Sequence, residues 1–129
     1  MSLICWEGKC LLLSANIQNI EKTGDQLELK SCVINALERS LFIEFSNKLI
    51  ARMPGLRGYI GIDVLITDDE ILLVEINPRL TTSYAGLSSA LGINPAEYIL
   101  HTFLSQELPV FVQTKNDAVT VETGAKCAA

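Results

Sequence analysis

GYIGIDVLITDDEILLVEINPRLTTSY, residues 58–84, holds two apolar runs separated by the acidic turn Thr67-Asp68-Asp69-Glu70. Short apolar runs bounded by turn residues read as strands. Tyr59–Ile66 and Ile71–Asn77 are therefore expected to form an antiparallel hairpin. Strand residues two apart share a face. Glu75 and Asn77 then lie together, and Arg79 continues their face if the backbone stays extended. On the first strand Tyr59, Gly61, Asp63 and Leu65 share a face. A hairpin centred on Asp69 sets Asp63 opposite Glu75 and Gly61 opposite Asn77.

Directly opposed side chains have Cβ atoms about 5 Å apart, and like charges there destabilise a sheet. A solvent-facing hairpin side would tolerate such residues. The combination of two carboxylates in register, an amide, a cation and a small residue points instead to a site. Oxygen ligands from Asp, Glu and Asn suit a hard divalent cation, Mg²⁺ or Mn²⁺. Gly61 leaves room for a ligand, and Arg79 offers a planar fork that matches a phosphate. Asp63, Glu75 and Asn77 are thus the candidate metal ligands, with Arg79 at the phosphate.

The wider chain fits one globular unit. Its 129 residues allow a single domain with a real core, and 49% hydrophobic against 19% charged residues is not a disordered composition. A net charge of −5 without a dense basic cluster argues against a nucleic-acid surface. Apolar runs of at most four residues cannot build a membrane-spanning helix. Glu7 and Lys9 interrupt the apolar start, so a signal peptide is rejected. Met1-Ser2-Leu3 could be an appended start. Cys5, Cys10, Cys32 and Cys127 match no zinc or redox spacing and read as free thiols in a reducing cytoplasm.

Lys9 to Lys30 reads as β structure turning at Thr23-Gly24-Asp25. Ser31 is a candidate cap for a helix from Cys32 to about Arg52, along which Val33, Leu37, Leu41, Phe45 and Leu49 recur at helical spacing. Pro54-Gly55 ends it. Further helices are expected at Ala85–Leu91, stopping at Gly92, and from Pro95 to about Ser105 with Asn94 as cap. Pro109–Gln113 and Val119–Glu122 are candidate closing strands. The expected class is α+β, a mainly antiparallel sheet covered by helices.

The hairpin and its continuation resemble the carboxyl-terminal metal-binding hairpin of the ATP-grasp superfamily. In wording, EINPRLTTSYAGL is similar to the archaeal and methylotroph ATP-grasp ligases, and LLLSANIQNI resembles an upstream strand of the same domain. The resemblance implies that an acidic residue and an E-x-N pair hold two magnesium ions against the phosphates of ATP. Asp63, Glu75 and Asn77 match that pattern. It implies a phosphate or catalytic role for Arg79 and places Leu65 among the nucleotide-binding residues.

The resemblance also implies a ligase that activates a carboxylate as an acyl phosphate and couples it to an amine. ATP-grasp enzymes close two lobes on the nucleotide, and the lysine-bearing lobe has no counterpart in this sequence. Residues 1–129 are accordingly expected to be the carboxyl-terminal portion of such a domain, inactive alone, needing an amino-terminal lobe or partner chain. A non-catalytic interaction module, homodimeric or otherwise, is the alternative.

Other motifs carry less. Gly55, Gly58 and Gly61 precede a strand instead of following one, which excludes a dinucleotide fingerprint. His101 reads as a packing or surface residue, and Ser83 and Ser88 lack a histidine partner. Thr81, Thr82, Ser83 and Tyr84 read equally as an acceptor pocket or a structural loop. The acidic turn lacks the spacing of a calcium loop.

Overall fold

The computed structural model describes residues 1–123 and contains six strands and three helices. Strand β1 spans Ser2–Trp6, β2 Lys9–Thr23, β3 Gln26–Leu37, β4 Gly58–Ile66, β5 Ile71–Asn77 and β6 Val119–Glu122. Helix α1 spans Ser40–Ala51, α2 Tyr84–Leu91 and α3 Pro95–Ser105. The strands form one sheet in the order β5-β4-β1-β2-β3-β6, and every pairing is antiparallel.

The sheet separates two cores. On one face Phe42 and Ile50 of α1 pack over Leu3, Cys5, Leu12, Ala15, Ile60 and Ile62. On the other, Leu87, Ala90 and Leu91 of α2 cover Ile4, Leu13, Cys32, Ile34 and Tyr59, with Tyr98 and Ile99 of α3 alongside. The α+β class expected from the sequence is what the chain adopts.

Several elements differ from expectation. Ser2–Trp6, not assigned to an element from the sequence, is a central strand buried at every position. A strand covered on both faces needs no alternation, so its run of apolar residues carries no period-2 signal. The helix expected from Cys32 begins only at Ser40, and residues 32–37 belong to β3, where Cys32 pairs with Val121 and Ile34 with Val119. Ser31 is therefore no cap; its hydroxyl accepts a bond from Asn19 Nδ2 at 2.8 Å. The helical spacing was also read one residue out of phase. Phe42, Ser46 and Ile50 face the sheet, whereas Leu41 is exposed.

Pro109–Gln113 forms no strand, but Val119–Glu122 pairs with β3 as expected. The ends of α2 and α3 follow their sequence signals. Gly92 terminates α2 at φ +62°, a left-handed conformation that glycine adopts without Cβ strain. The Asn94 side chain accepts from the Ala96 amide at 3.2 Å and caps α3.

Candidate metal and phosphate site

The β4–β5 hairpin has the anticipated register where it matters. Gly61 pairs with Asn77, Ile62 with Ile76 and Asp63 with Glu75. Beyond Asp63 the register slips by one, so Val74 is an extra residue on β5 and Val64 pairs with Leu73. Such a bulge sharpens the local twist and lets the two strands diverge from a flat ladder next to the carboxylates. The strand β5 lies at the sheet edge, with Leu72, Leu73 and Val74 exposed. The apolar run around Glu75 is therefore not the buried strand its composition suggests, because no element covers that edge among the described residues.

Asp63, Glu75, Asn77, Arg79 and Leu65 all line one groove of about 410 Å³. Asn77 is buried and donates through Nδ2 to Asp63 Oδ2 at 3.4 Å. That leaves its Oδ1 available as a ligand. Gln18 of β2 donates through Nε2 to Asp63 Oδ1 at 3.1 Å. Among the described residues, no salt bridge neutralises Asp63 or Glu75, and Arg79 pairs with no carboxylate. Its guanidinium instead donates to the Leu80 carbonyl at 3.4 Å. No three His, Cys, Asp or Glu side chains converge among the described residues. The donor set is thus two carboxylates and an amide oxygen, hard ligands that fit Mg²⁺ or Mn²⁺ with remaining positions left to water or phosphate.

The loop after β5 closes one wall with hydroxyls. Tyr59 Oη lies 3.1 Å from Ser2 Oγ, 3.1 Å from Thr81 Oγ1 and 3.2 Å from Ser83 Oγ. Ser2 and Ser83 are 2.9 Å apart, as are Thr81 and Ser83. Asn16 donates to Ser2 at 3.1 Å and accepts from the Asn35 amide at 3.0 Å. A Cβ at Gly61 would lie 2.5 Å from Thr81 Cγ2, so glycine lets this loop sit against β4. Thr81 and Ser83 are therefore held by a structural network, and Thr82 also lines the groove.

Sequence reasoning missed Gln18, Asn16, Ser2 and Tyr59. Asn16 and Gln18 carried a signal of the same kind as Glu75 and Asn77, since amides two apart in an apolar strand share a face. His101 lies outside the groove, exposed, with Nδ1 3.1 Å from the Ser105 hydroxyl. Cys5, Cys10 and Cys32 are free, and Cys127 lies outside the described residues. Burial pushes the Cys5 thiol up to about 12 and the Cys10 thiol to about 11. No helix among the described residues is long and apolar enough to cross a membrane.

Comparison with known proteins agrees with this architecture. The ATP-grasp domain family matches residues 1–83. Tyramine–L-glutamate ligase of Methanocaldococcus fervens is 34% identical over 106 residues, 80% of this chain and 34% of the relative. The same-named ligase of Methanocaldococcus jannaschii is 33% identical over 115 residues, 85% of this chain and 34% of the relative. The arginine-specific large chain of carbamoyl phosphate synthase from Geobacillus stearothermophilus is 24% identical over 92% of this chain and 12% of its own length. The crystal structure of an ATP-grasp superfamily protein from Archaeoglobus fulgidus superposes with a TM-score of 0.67 at 26% identity, covering 94% of this chain and 36% of that one. The chain thus spans about a third of the length of the ligases it matches. With its fold, hairpin register and matched segment in accord, the chain belongs to the ATP-grasp family.

Proposed function

We propose that this chain is the metal- and phosphate-binding, carboxyl-terminal part of an ATP-dependent carboxylate–amine ligase. The observation that carries the reading is the pairing of Asp63 with Glu75 beside Asn77, in a groove where neither carboxylate forms a salt bridge among the described residues. Asp63, Glu75 and Asn77 would hold Mg²⁺ or Mn²⁺. Such an ion neutralises charge on phosphate oxygens and orients the reacting ends. Gln18 and Asn77 hold the Asp63 carboxylate in place through its two oxygens. Arg79 is free to turn its fork on the transferred phosphoryl group or an acyl phosphate, and Leu65 offers an apolar surface to the nucleotide. The three free thiols and the need for ATP suit a cytoplasmic setting.

The ligase names of the relatives support a carboxylate and an amine as substrates, and we infer an acyl phosphate between them. The chain spans about a third of those relatives, so we infer that a second lobe completes the cradle. Losing that lobe forfeits positioning that supplies roughly 7–11 kcal/mol of rate enhancement. The test is titration of the purified chain with Mn²⁺ and ATP, followed by an ADP-release assay with amino acids and amines. Weak, metal-dependent ATP binding that Glu75→Gln abolishes, without turnover, is the expected result. Metal binding indifferent to both Glu75→Gln and Asp63→Asn would sink the assignment and favour a non-catalytic module.

A further inference from the structure

The groove has a shape that a ligand site alone does not explain. Its lining comes from both faces of the sheet: Leu37 and Phe42 from the α1 side, Thr81, Thr82 and Ser83 from the other. A depression on one face cannot reach residues of the opposite core. The groove therefore passes through the plane of the sheet.

Strand lengths explain why. β1 lies between β2 and β4 but covers only Ser2–Trp6, pairing with Lys9–Ser14 on one side and Gly58–Gly61 on the other. β2 continues to Thr23 and β4 to Ile66. The β1-facing edges of residues 16–20 and 63–66 have no strand partner among the described residues. Between them runs a gap lined by Asn16, Ile17, Gln18, Asp63, Val64 and Leu65. Unpaired edges of this kind present alternating N–H and C=O groups to any extended backbone.

Met1 already points into that gap. Its ammonium donates to the Ile62 carbonyl at 2.6 Å, and the Ile62 amide donates to the Met1 carbonyl at 3.0 Å. This is a hydrogen-bonded antiparallel pair that continues the β1–β4 ladder beyond Ser2. Burial pushes that ammonium below its ordinary range. A peptide N–H would make the same bond without burying a charge.

We propose that the gap between β2 and β4 is a strand site, filled by an extended segment that leads directly into Met1 as the upstream continuation of β1. Four residues span it, matching Asp63–Ile66. Extending the ladder places the residue before Met1 between Asp63 and Asn16, and the one before that between Val64 and Ile17. The alternation of faces then asks for polar side chains at the first and third positions upstream, facing the groove with Asp63 and Gln18. Apolar side chains are asked for at the second and fourth, on the Met1 and Val64 side where α1 packs. The ligase relatives, about three times as long, have chain in hand to supply such a segment. Filling the gap would also close the far side of the groove behind Asp63.

The experiment compares the 129-residue chain with a version carrying Val-Thr-Val-Thr before Met1, and with a second carrying Val-Thr-Pro-Thr. The proline removes the N–H that would bond to the Val64 carbonyl. Amide hydrogen exchange is read at Val64 and Ile66, with Ile60 and Ile62 as internal references, and melting temperature is read in parallel. The alternating extension should slow exchange at Val64 and Ile66 by about tenfold, the order expected when each gains a backbone hydrogen bond, and raise the melting temperature. The proline version should do neither. Unchanged exchange at Val64 and Ile66, equal effects of the two extensions, or destabilisation by the alternating one would each overturn the proposal. None of these readouts involves metal or nucleotide, so they stand apart from the fate of the ligase assignment.

Discussion

Two pairs of carboxylates face each other across this sheet, and the protein treats them differently. Glu21 of β2 stands opposite Glu28 of β3 near the tip of a long hairpin, and Asp63 of β4 stands opposite Glu75 of β5. At the tip, the Lys30 ammonium binds Glu28, and that bond holds the lysine above its ordinary range. Both glutamates are exposed, so water and one flexible cation suffice. At the other pair no lysine or arginine is bound among the described residues. Asp63 is held by two neutral amides, Glu75 is left open, and both line the groove. Opposed carboxylates are therefore not in themselves a site. What distinguishes Asp63 and Glu75 is that neither forms a salt bridge among the described residues, together with convergent oxygen and amide groups.

The largest expected effect tests that distinction directly. Glu75→Gln should weaken Mn²⁺ binding by at least about 10–100-fold, the range seen when a metal site loses only an outer-shell partner of a ligand. Glu28→Gln should leave it unchanged. Manganese titration followed by electron paramagnetic resonance reads both, and equal losses would erase the contrast.

Next in size is a steric effect. Gly61→Ala brings a Cβ within 2.5 Å of Thr81 Cγ2. Overpacking of this kind costs about 1–3 kcal/mol. Part of that strain should be relieved by the double substitution Gly61→Ala with Thr81→Ser. Glycine 24, at the β2–β3 turn, has nothing within 4 Å of a built Cβ, so its cost there is set by its φ of +63° and not by crowding. Urea unfolding of the three variants separates the two causes.

A smaller effect splits the acidic pair itself. Without metal, Glu75→Gln should stabilise the chain by up to about 1 kcal/mol, because it relieves a like-charge cross-strand contact. Asp63→Asn should not share that gain. The aspartate accepts from Gln18 and Asn77 through separate oxygens, and an amide in its place must set one donor against another. The sequence alone leads to a gain from either substitution. Thermal unfolding in chelator decides, and stabilisation by Asp63→Asn would show that the two amide bonds contribute little.

The last expectation is a control, on which the two acidic pairs should have no effect: the thiols of Cys5 on β1 and Cys10 on β2. Thiols raised to about 12 at Cys5 and about 11 at Cys10 are scarcely ionised at pH 8. Because burial raises both, the thiolate is disfavoured in the folded chain and restored on unfolding. Cys10 should alkylate about 100-fold more slowly than in the unfolded chain, since two pKa units separate it from its ordinary value, and Cys5 more slowly still. Peptide mass mapping after iodoacetamide at pH 8 gives the rates. The Glu75→Gln and Glu28→Gln variants should leave both rates unchanged if neither opens the sheet.

The local part of this protein was legible without its structure. The acidic turn and the two apolar runs determined the β4–β5 hairpin, and period-2 alternation was enough to bring Asp63 beside Glu75 and Gly61 beside Asn77. Gly92 and Asn94 marked helix ends for reasons of backbone conformation and capping that act within a few residues. Where tertiary burial decides, local pattern was silent or misleading. Ser2–Trp6 is covered on both faces, so it has no alternation to betray a strand. Residues 32–37 offered Val33 and Leu37 at a helical interval, yet they sit in a strand because β2 and β6 pair with them on either side. The same holds for the site. Glu75 and Asn77 announced themselves two residues apart, whereas Gln18 reaches Asp63 across 45 positions of sequence. Only the sheet order, which sets β2 one strand away from β4 around a short β1, brings that amide to the carboxylate and opens the gap between them.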